Sequence, residues 1–139
     1  MKKTAVIYWS GTGNTEAMAN AVAEGMKGAG AEVAVMTPDQ INSLNGYASI
    51  AFGCPAMGTE VLEEVDFQPM FDGCKNSLGG KSVALFGSYG WGDGEWMRNW
   101  EKDCEDAGVN LVCESVTCCE APDDAALSAC RVMGKALAK

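Results

Sequence analysis

The chain has 139 residues, enough to bury the core of one domain, and its 47% hydrophobic and 21% charged residues are typical of a globular protein. Ten basic and nineteen acidic residues give a net charge of −9, which disfavours nucleic acid and anionic membranes and favours a basic protein partner. Seven cysteines occur without C-x-x-C spacing and without any histidine, so zinc and iron–sulfur patterns are absent.

Hydrophobic periodicity predicts that strands and helices alternate along the first half of the chain. The first strand covers residues 5–9, and a helix over residues 14–27 ends at three small residues, 28–30. Strands follow at residues 32–36 and 47–54, with a turn beginning at Pro38 and Asp39 between them. Pro69 and several glycines interrupt the next segment, which predicts only an irregular or short helix before a strand at residues 81–87.

The second half continues the same alternation. From Gly94 onward, apolar residues recur at helical spacing until Gly108, and residues 109–117 predict a fifth strand without a long insertion. A final helix begins near Pro122 and the two acids after it. This order of elements predicts an α/β fold built on a doubly wound parallel sheet.

The loop after the first strand has the composition of a phosphate site. An apolar strand runs into small and hydroxyl-bearing residues and then into a helix, whose N-terminus offers unpaired N–H donors to an anion. The loop lacks the Gly-Lys-Ser/Thr of nucleotide-hydrolysing P-loops, and Glu16 stands where a dinucleotide-binding loop needs its third glycine. A plain strand-to-helix turn remains the alternative. The predicted contacts are Ser10, Gly11, Thr12, Gly13, Asn14 and Thr15.

Two later strands also end in loops punctuated by glycine. One loop runs from Cys54 to Glu60 and the other from Gly87 to Gly94. Because the carboxyl ends of parallel strands open at one edge of the sheet, we expect the three loops to converge on one ligand.

With these three loops in this order, the chain resembles the short-chain flavodoxins over almost its whole length. The resemblance implies one flavodoxin-like FMN-binding domain over residues 1–139, with five strands in the order 2-1-3-4-5 and helices on both faces. It also implies a low-potential one-electron carrier, not an enzyme, that holds FMN non-covalently and shuttles between semiquinone and hydroquinone. Redox proteins, with basic docking faces expected from the charge, would be its partners, and we expect a monomer.

The resemblance assigns roles within the loops. The first loop and Ser88 would hold the phosphate, while Met57 and Trp91 would flank the two faces of the flavin ring. Glu60 would accept a hydrogen bond from the ring N3–H, and the Gly58 carbonyl would turn toward N5–H after one-electron reduction. The further predicted contacts are Pro55, Ala56, Thr59, Tyr89, Gly90, Gly92 and Glu120. Trp9, Trp96 and Trp100 are predicted to be packing residues instead.

Three residues depart from the usual pattern of the family. Thr59 follows the flipping glycine, where a turn with positive φ would strain a β-branched residue, so we expect a smaller gain in semiquinone stability. Pro55 lacks an N–H that could reach the phosphate. Glu120 stands where a neutral amide is common beside the ring, which leaves the contacts of residues 118–121 open.

Alternative functions are distinguished by further sequence features. An FMN-dependent NAD(P)H or quinone reductase on the same fold would need a substrate site, for which the chain has no spare segment. A receiver domain would need acids after the first strand, and the residues after Trp9 are not acidic. The apolar run at residues 5–9 is too short for a signal peptide or a membrane span, so we expect a cytoplasmic protein with reduced thiols. Cys118 and Cys119 are the one candidate redox pair.

Overall fold

A computed structural model describes residues 2–139 as a parallel sheet covered by helices on both faces. The elements in chain order are β1 (Lys3–Tyr8), α1 (Asn14–Gly28), β2 (Glu32–Met36), β3 (Ser49–Gly53), α2 (Phe67–Cys74), β4 (Ser82–Tyr89), α3 (Glu95–Asp106), β5 (Asn110–Leu111), β6 (Val116–Cys119) and α4 (Asp124–Leu137). Short 3₁₀ turns occupy Pro38–Gln40 and Lys75–Ser77. The α/β class and the flavodoxin-like architecture are therefore confirmed.

The strand order is β2-β1-β3-β4-β5, as predicted, and β6 also pairs with β4. All of these pairings are parallel. The carboxyl ends of the strands consequently open at one edge of the sheet, where the three predicted loops begin.

The fifth strand differs from the prediction of one strand over residues 109–117. Val83 pairs with Leu111 and Phe86 with Val116, so four residues of the fifth strand face two of β4. Such an excess forms a bulge and interrupts the ladder. Ser115, within the bulge, donates a hydrogen bond from its Oγ to Glu101 Oε2 at 2.7 Å, which ties the bulge to α3.

Two core clusters lie on opposite faces of the sheet. On one face, α2 and α3 bury Phe67, Phe71, Trp96 and Trp100 against β3 and β4, with edge-to-face ring contacts between Phe67 and Trp100 at 5.4 Å. Trp96 and Trp100 are packing residues, as predicted. The Trp96 indole also donates to the Cys54 carbonyl at 3.1 Å, which places the start of α3 beside the carboxyl edge of the sheet.

On the other face, α1 and α4 cross so closely that glycines are required at the crossing. A Cβ on Gly134 would lie 2.1 Å from the Val22 carbonyl oxygen, and one on Gly25 would lie 2.1 Å from that of Arg131. Among residues 2–139, no helix combines the length and apolar character needed to cross a membrane.

Candidate functional site

A cleft of about 660 Å³ opens at the carboxyl edge of the sheet, where β1, β3, β4 and β6 end. Loops distant in sequence supply its walls, as expected for a parallel sheet. Its lining consists of Trp9, Gly11, Thr12, Asn14, Pro55, Ala56, Met57, Ser88, Tyr89, Gly90, Glu120 and Ala121. Ten of the predicted site residues lie in this wall. The other eight lie close to the lining residues in sequence without lining the cleft: Ser10, Gly13, Thr15, Gly58, Thr59, Glu60, Trp91 and Gly92.

The first loop is shaped by the Ser10 side chain. Its Oγ accepts hydrogen bonds from the N–H of Gly13 at 3.0 Å and of Glu16 at 3.3 Å. Gly13, the N-cap residue of α1, has a φ of 94°, a left-handed conformation that suits glycine, and it offers no side chain of its own to the first turn. The start of α1 therefore presents backbone N–H groups and the positive end of the helix dipole to the cleft.

A buried pair of hydroxyls joins this loop to the far wall of the cleft. Thr15 is 1% exposed, and its Oγ1 lies 3.2 Å from Ser88 Oγ. Ser88 is the penultimate residue of β4, whereas the sequence analysis predicted it in the loop after that strand. The pair fixes the distance between the start of α1 and the end of β4.

The donor set fits a phosphate monoester held by neutral groups. Hydroxyl, amide and backbone groups line the cleft, and its lining contains Glu120 but neither lysine nor arginine. Glycine at position 11 lets the first loop pack closely against Trp9, because a Cβ there would lie 3.0 Å from the Trp9 ring. No group of three or more metal-ligating side chains occurs in the described part of the chain. The residues present therefore fit FMN, with its phosphate at the start of α1.

The second loop is a tight hairpin. Met57 and Val61 exchange two backbone hydrogen bonds, of 2.8 and 3.0 Å. Between them Gly58 has a φ of 49° and Glu60 a φ of 56°, whereas Thr59 does not have a positive φ. The turn in this conformation thus places its two left-handed residues on either side of Thr59, not on Thr59 itself.

Glu60 connects the second loop to the third. Its Oε1 accepts a hydrogen bond from the Glu95 N–H at 3.1 Å, at the start of α3. Gly92 lies against this carboxylate, since a Cβ on Gly92 would be 2.5 Å from Glu60 Cδ. One carboxylate oxygen is engaged in this link, and Glu60 lies beside the cleft without lining it.

The third loop carries the indole predicted to cover one face of the ring. Trp91 is 64% exposed and precedes Gly92 and Gly94, whose φ values are 89° and 91°. Arg98 donates to the Asp93 carbonyl at 3.0 Å and to its carboxylate at 2.9 Å. The hydrogen bond and charge of Arg98 hold the pKa of Asp93 below its usual range. The loop is thereby tied to α3 while Trp91 stays uncovered.

A buried carboxylate that the sequence did not single out holds the base of the second loop. Glu63 is 5% exposed and accepts 2.8 Å hydrogen bonds from the N–H groups of Val65, Asp66 and Phe67, at the start of α2. Burial raises the pKa of Glu63, but the three N–H donors outweigh burial and hold it below its ordinary value. The feature of the sequence that could have indicated this role is a carboxylate shortly before the start of a helix.

All seven cysteines are unbridged thiols. Burial raises the pKa of Cys54, Cys104 and Cys130 to about 12, so they pack as small apolar side chains. Cys118 donates weakly to Met18 Sδ at 3.6 Å, whereas Cys119 is exposed. The vicinal pair forms no disulfide.

Two wall residues were not predicted to contact the ligand. Trp9 was predicted to be a packing residue only; it packs on the core but also lines the cleft, because it follows the last residue of β1 at the open edge. Its N–H donates to the Gly53 carbonyl at 3.0 Å, so the ladder holds its position. Ala121 lines the cleft beside Glu120, whose φ of 58° turns the chain there.

Comparison with known proteins identifies the family. The family model for flavodoxin matches residues 6–134. The flavodoxin of Megasphaera elsdenii is 45% identical over 137 residues, covering 96% of this chain and 97% of the relative. That of Clostridium beijerinckii is 42% identical over 135 residues, again covering 96% and 97%.

The solved structures agree with the sequence comparisons. The solution structure of two-electron reduced Megasphaera elsdenii flavodoxin superposes with a TM-score of 0.88 at 43% identity, covering 97% of this chain and 98% of that one. These relatives do not favour the reductase alternative. The chain therefore belongs to the flavodoxin family and is an FMN-binding electron carrier, not an enzyme.

Proposed function

We propose that residues 1–139 act as one FMN-binding domain that carries single electrons at low potential between the two reduced states of the flavin. The observation that supports this most is the cation-free cleft at the start of α1, bounded by all three predicted loops. Backbone N–H groups and the Thr15–Ser88 pair would bind the phosphate. FMN, when bound, supplies the redox chemistry.

The ring would lie between the second and third loops. Met57 and Trp91 are large apolar side chains with exposed fractions of 36% and 64%, and a flat aromatic ring between them would bury this surface. Gly58, at a φ of 49°, has the backbone freedom to turn its carbonyl toward the ring. Glu60 retains a carboxylate oxygen that could accept from the ring.

Charge near the ring supports a low potential for the second electron. Glu60, Asp93 and Glu120 belong to the loops at the cleft, and Glu95 begins α3. Arg98 forms an ion pair with Asp93 at 2.9 Å. At about 10 Å in water each uncompensated acid costs about 0.4 kcal/mol against one added negative charge. Several acids together disfavour the fully reduced anion.

The net charge of −9 supports partners with basic docking faces. The same charge disfavours self-association, which supports a monomer. The seven unbridged thiols, three of them buried, support a cytoplasmic site of action.

The test is to titrate the apoprotein with FMN and, separately, with riboflavin, which lacks the phosphate. Ser10→Ala removes the acceptor that shapes the first loop, and Ser128→Ala on the exposed side of α4 is the matched control. We expect Ser10→Ala to lower the affinity for FMN about ten-fold, which corresponds to a loss of about 1.4 kcal/mol of phosphate binding. The affinity for riboflavin should hardly change. Equal affinity for FMN and riboflavin in the unsubstituted protein would contradict the proposal.

A further inference from the structure

A second and larger cavity lies outside the flavin cleft, as a groove of about 940 Å³ between β6 and α4. Its lining is Tyr89, residues 113–119, Ala121, Asp123 and one side of α4. Tyr89 and Ala121 also line the cleft, so groove and cleft adjoin. A polypeptide in the groove would therefore end beside the cofactor site.

The floor of the groove is the free edge of the sheet. Within residues 2–139, β6 pairs with β4 on one side and with no strand on the other. Glu120 donates to the Tyr89 carbonyl at 2.7 Å, which continues the parallel ladder between β4 and β6. Alternate residues of a ladder face opposite edges, so Thr117 and Cys119 direct their N–H and C=O groups into the groove. Such an edge can accept another strand.

The opposite wall is a narrow apolar stripe along α4. Ala125, Ala129, Val132 and Ala136 follow one another at spacings of four, three and four residues, so they share one face of the helix. Val132 is the large apolar side chain of the stripe, and it is 64% exposed. Three alanines leave room for a backbone to approach, while Val132 offers apolar contact.

Charge at the groove indicates which kind of segment it accepts. Glu114 lies two residues before β6 and Asp123 four residues after it, as the N-cap of α4, and the lining contains no lysine or arginine. Neither carboxylate takes part in an ion pair with another described residue. A strand laid along β6 would thus meet an acid at each end. A second copy of this chain, pairing antiparallel, would bring Glu114 against the acids of residues 120–124 and be repelled.

We infer that this groove docks an extended segment of a redox partner, one that carries a lysine or arginine at each end and small apolar side chains between. The segment adds a strand to the outer edge of β6, its apolar side chains contact Val132, and its basic ends pair with Glu114 and Asp123. The inference rests on the proposed electron-carrier function, because it places the partner next to the flavin cleft.

The experiment uses the FMN-loaded protein and a blocked heptapeptide with lysine at both ends and alternating valine and threonine between. A peptide with glutamate in place of both lysines is the charge control. Val132→Asp removes the apolar contact, and Val65→Asp adds the same charge at an equally exposed valine outside the groove. Binding is followed by chemical shifts and hydrogen exchange of backbone amides. The visible spectrum of each sample shows that FMN is bound before peptide is added.

We expect the lysine peptide to slow amide exchange at Thr117 and Cys119, and the glutamate peptide to bind at least ten-fold more weakly. Val132→Asp should weaken binding at least five-fold relative to Val65→Asp, although both variants carry the same added negative charge. Equal affinity of the two variants for the lysine peptide would show that the peptide is attracted only by the overall negative charge, and would overturn the inference. So would protection confined to α4, or no binding at millimolar peptide. A sample that fails to bind FMN would instead contradict the proposed function.

Discussion

Replacing the buried Glu63 by glutamine tests how the second loop is anchored. The carboxylate accepts three 2.8 Å hydrogen bonds from backbone N–H groups at the start of α2. Glutamine keeps one acceptor oxygen, loses the charge and turns an NH₂ group toward one of those donors. Because a buried donor without an acceptor costs about 1–3 kcal/mol, we expect Glu63→Gln to lower the free energy of unfolding by about 2 kcal/mol at pH 7.

The effect has a defined pH dependence. The folded pKa of Glu63 lies below its ordinary value of 4.5, so the carboxylate contributes stability that is complete above pH 4.5 and is lost as the pH falls through the folded pKa. Glutamine does not titrate. The difference between the two proteins should therefore shrink below pH 4.5.

Urea unfolding followed by circular dichroism, at pH 7 and at several pH values below 4.5, measures this difference. Glu64→Gln, at the exposed neighbouring position, is the matched control and should change stability by less than 0.5 kcal/mol. A Glu63→Gln protein as stable as the control at pH 7, or a difference that stays constant into acid, would refute the anchoring role.

Three further substitutions test backbone geometry. The Cβ of Gly134→Ala would meet a carbonyl of α1 at 2.1 Å, so this variant should lower the free energy of unfolding by about 2–3 kcal/mol in thermal or urea unfolding. Gly28→Ala, whose Cβ would have no atom within 4 Å, is the control and should not destabilise the protein. Similar stabilities of the two variants would show that the helices do not cross closely. Gly92→Ala would place a methyl group against Glu60 at a φ of 89° and should weaken FMN at least ten-fold by fluorescence titration, and unchanged affinity would disprove that contact. Thr59→Gly should stabilise the one-electron-reduced form about ten-fold if a β-branched residue resists the inward turn, and potentiometry that finds both midpoint potentials unchanged would reject this.

Most of the fold could be predicted from the sequence because each element carries its own periodicity. The apolar runs that form β1, β3 and β4 predicted a parallel sheet, whereas the strand order was predicted from the resemblance to the family. The fifth strand could not be predicted as two pieces, because its bulge depends on a mismatch with β4 and on the Ser115 contact with Glu101. Both are tertiary features with no local signal.

The site was predicted where residue type alone indicates chemistry. Glycines and hydroxyls after β1 led to the cleft, but the extension of β4 through Ser88 and Tyr89 did not follow from a segment rich in glycine. Trp9 has strand periodicity and also lines the cleft. Periodicity alone cannot distinguish a residue that packs on the core from one that does so and lines a cleft. The bond from Glu95 to Glu60 joins positions distant in sequence, and only the folded chain brings them together.

The visible absorption of the purified protein during stepwise anaerobic reduction shows whether the chain binds and reduces FMN. A single FMN bound between the Met57 and Trp91 loops predicts a yellow protein that passes through a blue one-electron-reduced form and then bleaches. A colourless protein that takes up no added FMN would contradict the assignment of the cleft to FMN.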